Sequence, residues 1–195
     1  SMLGLEEVIG LEVVSSDARV VGTVEGVGID TKGWRIVALR VGLRRGLEEP
    51  LGMRRHMFSV EKVLMATEAI VSVSDTVILH SPVSAVGQTL REEDGSLIPA
   101  GGLMGMRVIC RNARSLGTVD NLFFQPEGEW PILYLQVKLD REAAASLDMQ
   151  QGFMSAPLAP VRTADIRAMG DMIMLDITIE ELRQQVASAV TRPMK

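Results

Sequence analysis

Gly22, Gly26 and Gly28 crowd the stretch "ARVVGTVEGVGID" (18–30) behind an apolar run, and so resemble a loop that cradles phosphate. A nucleotide-binding glycine loop follows a strand and leads into a helix whose N-terminus receives the anion, usually with a Lys-Ser/Thr pair. Here the glycines lead into more β-like residues, with no such pair, so the spacing predicts scaffold and not phosphate chemistry. The other groups that could do chemistry are Cys110, His56 and His80. Their spacing does not suggest zinc. A Cys-His nucleophile pair stays open from sequence, although Cys110 sits in the alternating run "RVICR", where a buried packing role is expected. The acidic residues are scattered through turns without a paired-carboxylate pattern. The expectation is therefore no catalytic residues, no metal and no cofactor. A small-ligand or redox enzyme, with a polar pocket around Cys110 or His56, is the third-ranked reading.

The elements that must position these residues are drawn from an apolar but aromatic-poor chain, 47% hydrophobic with 4% aromatic residues, so Val, Leu, Ile, Met and Ala must build its cores. The 12 methionines supply adaptable filling or, where exposed, a forgiving contact surface. A net charge of −5 gives little long-range attraction to nucleic acid or an anionic membrane. One cysteine excludes an internal disulfide and fits a reducing compartment. No apolar run approaches the roughly 20 residues needed to span a bilayer. No secretory signal is visible, and Ser1-Met2 reads as a tag remnant before a native Met2. A cytoplasmic protein is expected.

An internal repeat organises the chain. Residues 9–30 align with 104–125: Gly10 falls on Gly105, Val13 on Val108, Asp17 on Asn112 and Ala18-Arg19 on Ala113-Arg114. Gly22-Thr23-Val24 falls on Gly117-Thr118-Val119. After a one-residue insertion Trp34 meets Trp130, Leu39 meets Leu135 and Val41 meets Val137, and Asp75 meets Asp171 near the end. Short alternating strands at this spacing predict a small closed β-barrel in each copy. The expected organisation is a first domain over 2–80, a linker over 81–100, a second domain over 101–177 and an amphipathic helix over 178–190. A capping box of Thr178 and Glu181 should start that helix, and Ile179, Leu182, Val186 and Val190 should share one face. "DREAAASLDMQQGF" predicts a short helix in the second copy alone, with Asp140 as N-cap and Gly152 beyond its end.

The pattern G-x-x-V-x-x-x-D-A-x-x-x-G-T-V (10–24), its second copy at 105–119 and the closing D-x-V-I-L (75–79) resemble the PRC-barrel family. The resemblance implies a mainly β fold of two tandem PRC-like barrels and an assembly or adaptor role without catalysis. Tandem barrels and an acidic balance are similar to archaeal PRC-barrel proteins of FtsZ-based cell division. For this chain that implies a SepF-type membrane anchor as partner, recruitment to the division site, and dimers with itself or another PRC-barrel protein. The alternative is a factor like RimM that binds a ribosomal protein, although there a different companion domain precedes the barrel. Neither reading implies direct contact with membrane or nucleic acid.

Candidate contact residues fall in two segments. In "LRRGLEEPLGMRRHM" (43–57), Arg44-Arg45 and Arg54-Arg55 bracket two glutamates, with Leu47, Met53 and Met57 interleaved. The pattern fits a solvated, self-paired loop or a docking surface, since arginine and methionine are enriched at contacts. RNA is a third reading, but residues 2–80 hold nine basic against eleven acidic residues. In "NLFFQPEGEWP" (121–131), Phe123 and Phe124 must face opposite sides of their strand, with Trp130 nearby. One phenylalanine belongs in the core; cover for the other from within the chain or from a dimer is expected.

Overall fold

Alternating apolar and polar residues let a sheet cover a core with one face and meet water with the other. The computed structural model describes residues 1–51, 63–93, 95–149 and 156–191, with Glu48 and 189–191 as backbone only. The first copy contains β1 (Leu3–Gly4), α1 (Leu5–Val8), β2 (Glu12–Val14), β3 (Val20–Asp30), β4 (Arg35–Leu43), α2 (Glu48–Leu51), β5 (Val63–Ala66), β6 (Ile70–Val73) and β7 (Val77–Leu79). Next come α3 (Val83–Val86), β8 (Leu90–Glu92), β9 (Ile98–Pro99) and α4 (Ala100–Leu103). The second copy contains β10 (Arg107–Ile109), β11 (Ser115–Phe124), β12 (Ile132–Leu139), α5 (Arg141–Ser146), β13 (Leu158–Arg162), β14 (Ile166–Met169), β15 (Ile173–Leu175) and α6 (Ile179–Thr191).

The two sheets share one strand order. The first runs β6-β7-β2-β3-β4-β5 and the second β14-β15-β10-β11-β12-β13. In each, the closing strand pairs in parallel with the opening one, Val13 with Val77 and Val108 with Ile173. The turns match bond for bond. Ser15 N donates to Arg19 O at 2.9 Å, and Cys110 N to Arg114 O at 2.8 Å. Gly10 N donates to Val24 O at 2.7 Å, and Gly105 N to Val119 O at 2.8 Å. Ala18 and Ala113 both adopt left-handed φ, 63° and 65°, as do Trp34 and Trp130 at 50° and 55°. The repeat is thus one of backbone geometry as well as sequence. Among the described residues each ladder is an open path and not a ring, so the expected closure is partial.

Interior residues are those the aromatic-poor composition requires. Val13, Val21, Val24, Ile36, Leu39 and Val41 are buried in the first copy, and Val108, Leu116, Val119, Leu135 and Val137 in the second. Within 81–100, the expected linker, β8 pairs with β5 and β9 with β3, and Val83, Val86 and Leu90 are buried. The chain divides into two compact units: Ser1–Gly101 with Phe124–Pro131, and Gly102–Phe123 with Ile132–Lys195. The α6 capping box forms as expected, with Glu181 N donating to Thr178 Oγ1 at 3.2 Å and Thr178 N to Glu181 Oε1 at 3.3 Å. Ile179 and Leu182 are buried and Val186 is half-buried, while the Val190 side chain lies outside the described residues. Gln185 of α6 also donates to Asp165, which already accepts both arms of Arg162 at 2.8 and 3.0 Å. Asp140 precedes α5 as its N-cap residue, and Gly152 lies outside the described residues.

The repeated Gly-Thr-Val has a steric cause. A Cβ on Gly22 would stand against the carbonyl oxygen of Gly42, and one on Gly117 against that of Lys138. Backbone atoms cannot swing aside, so only glycine lets the two strands cross there. Replacing either glycine with alanine should cost about 1–3 kcal/mol, the usual range for overpacking. Gly33→Ala, where the nearest atom to a new Cβ is 3.6 Å away, should stay within about 0.5 kcal/mol of the parent. Urea denaturation midpoints of the three variants measure the difference.

Candidate protein-contact surfaces

The arginine-rich segment leaves β4 at Leu43, where Arg44 N donates to Val21 O at 2.8 Å. Arg44 and Arg45 are exposed. Leu47 is only 5% exposed and Leu51 2%, and α2 packs on α3. Leu47 is therefore a core anchor for the turn and not a presented contact, because its apolar side chain finds cover in its own unit. Met53, Arg54, Arg55, His56 and Met57 lie outside the described residues.

The aromatic segment resolves the facing question. Phe124 is fully buried and Trp130 is 3% exposed, stacked with centroids 5.9 Å apart and planes 12° from parallel. Both belong to the N-terminal unit, where Trp130 O accepts a hydrogen bond from Ile36 N at 2.9 Å. Phe123, on the opposite side of its strand, is half-buried. Sequence spacing brought these three aromatics together; burial removes Phe124 and Trp130 from any contact surface.

Two surfaces went unnoticed in the sequence. The first is a cleft of about 470 Å3 on the outer face of β2, β3 and β4, lined by Glu12, Thr23, Glu25, Gly42, Leu43 and Arg44 among others. Gly42 places no side chain of its own on this face, and the Glu25 carboxyl group lies directly over it. The second is Met172 and Met174, two residues apart at β15 and 40% and 42% exposed; Leu158, 41% exposed, stands separately on β13. Only exposure distinguishes them, since alternation alone does not say which face of a strand looks outward.

The reactive-group candidates do not gather into a site. Burial pushes the Cys110 thiol up to about 11, with Arg114 opposing the rise and Glu180 adding to it. Such a thiol stays protonated at neutral pH and is a poor nucleophile. His80 is exposed. No three His, Cys, Asp or Glu side chains among the described residues are placed to hold a metal ion. The position homologous to Cys110 is Ser15, which hydrogen-bonds Asp17 at 2.5 Å while Asp17 accepts from Val83 N at 2.9 Å. The Ser15 bond, then the Val83 bond, holds the Asp17 carboxyl below its ordinary value of 3.8.

The glycine-rich stretch is also explained. Val20–Asp30 is one strand running straight into its partner β4, with no helix between. The Arg40 guanidinium lies over Gly26, and the Leu97 side chain over Gly28.

Residues 1–85, which hold this sheet and its repeated turns, match the family model of the PRC-barrel domain. Over those residues the first copy is similar to a PRC-barrel domain. No curated protein matches the chain in sequence. The second copy, with the same strand order and the same turn hydrogen bonds, is a second PRC-like barrel. The fold is mainly β, as the resemblance implied.

Two outcomes follow from the titratable groups. Cys110 should resist a thiol-specific reagent in the folded chain at about pH 8 and react promptly once urea unfolds it, because only then does the thiolate form at its ordinary pKa. Asp17 has a lowered folded-state pKa, so its contribution is complete above the ordinary carboxylate range and is lost as pH falls through the lowered value. The urea midpoint of the parent should therefore exceed that of Asp17→Ala at about pH 7, and the gap should narrow by about pH 3.

Proposed function

We propose that this protein is a non-enzymatic adaptor that works through protein–protein contacts. The observation that carries this reading is the PRC-barrel domain match over residues 1–85. The doubled sheet supports it by offering two outer faces of different chemistry, a cleft rimmed by Glu12, Glu25 and Arg44 and the exposed Met172 and Met174. Methionine side chains adapt to varied partners, as a contact surface requires. No helix among the described residues is long and apolar enough to cross a membrane.

In its finer form, the protein is an accessory factor of archaeal FtsZ-based cell division that binds a SepF-type membrane anchor. A membrane-anchored partner would bring it to the division site, and pairing with itself or with another PRC-barrel protein would enlarge the assembly. The tandem barrels and the net charge of −5 motivate this reading. Affinity purification from native cells tests it: division proteins should co-purify with the chain. Recovery of ribosomal proteins without division proteins overturns the cell-division reading in favour of a ribosome-maturation role like that of RimM.

A further inference from the structure

The two copies share a backbone and differ in what stands on the outer face of their first three strands. In the first copy Glu12, Thr23 and Gly42 lie side by side across β2, β3 and β4. In the second copy the matching positions are Arg107, Thr118 and Lys138, and Asp140 replaces Arg44. There the face is occupied by its own side chains. Arg107 Nη1 donates to Ser115 Oγ at 2.7 Å and stands 3.8 Å from Asp140 Oδ2, and Ser115 Oγ donates to that same carboxylate at 2.5 Å. Lys138 is exposed between the buried Val137 and Leu139, so its side chain points outward onto this face. The first copy has glycine in place of that lysine, glutamate in place of that arginine, and the open cleft of about 470 Å3.

We infer that the cleft over Gly22 and Gly42 receives one lysine or arginine side chain from a protein partner, supplying in trans the basic group that the second copy carries itself. The Glu25 carboxylate, lying over Gly42, and the Glu12 carboxylate accept from the cationic head, and the alkyl stem runs along Thr23 and Leu43 of the lining. Arg44 on the rim disfavours a second positive charge, so the favoured sequence has a single basic residue among neutral or acidic neighbours. This deepens the adaptor reading and rests on it.

The test is titration of the isotopically labelled full chain, followed by amide chemical shifts. The probe is a capped pentapeptide with one central lysine; its controls carry norleucine at that position or lysine at every position. The lysine peptide should give saturable shifts at Gly22, Thr23 and Gly42, the norleucine peptide none there, and oligolysine no tighter binding. Removing both carboxylates with Glu12→Gln and Glu25→Gln should weaken binding about tenfold. Gly42→Lys, which fills the cleft as the second copy does, should abolish it, with spectral dispersion confirming the fold. Absence of saturable shifts, equal binding of the norleucine peptide, or unchanged affinity in the double glutamine variant overturns the inference. If division partners still co-purify with Gly42→Lys, the cleft assignment fails while the adaptor reading stands.

Discussion

Everything in either copy depends on two backbones crossing where no side chain fits. Gly22 lies against the carbonyl of Gly42, and Gly117 against that of Lys138. The close approach fixes how β3 lies against β4, and β11 against β12, at the start of each long hairpin. In the same sheets the chain's later strands return beside its first, β7 pairing with β2 and β15 with β10. A methyl group at either glycine would push the strands apart and spoil the parallel closure together with the packing beneath it.

Much of this architecture was legible because it is written in local chemistry. The repeated Gly-Thr-Val, the left-handed Ala18 and Ala113 turns and the Thr178–Glu181 cap each act within a few residues. What escaped depends on partners distant in sequence. Residues 90–92 and 98–99 lack a clear alternating pattern, yet they pair with β5 and β3 because those strands have edges to complete. Leu47 looked like part of a charged docking loop, but its burial is set by contacts that the residues around it do not reveal. The cleft was invisible for a similar reason: it is made by what glycine leaves out.

Comparison of the copies separates scaffold from variation. Gly26 and Arg40 pair across β3 and β4, and Asn121 and Gln136 replace both members in the second copy. Gly28 lies beneath Leu97, whereas its counterpart is Phe123. Gly26 answers to Arg40, and both are replaced in the second copy. Gly22 answers to a backbone carbonyl, which every sequence supplies, so it persists. The exchange of Ser15 and Asp17 for Cys110 and Asn112 alters the bonding around a turn whose backbone path is the same.

The N-terminal unit is discontinuous, since it takes in Phe124–Pro131 as well as Ser1–Gly101. The stacked Phe124 and Trp130 lie within that second piece. A chain growing from its N-terminus therefore cannot complete the first core until residue 131 has emerged, by which time the first two strands of the second copy, β10 and β11, are already made. The two copies are successive in sequence but overlapping in synthesis. A cut at Gly101, which alignment of the repeats would recommend, would yield a fragment missing part of its own interior.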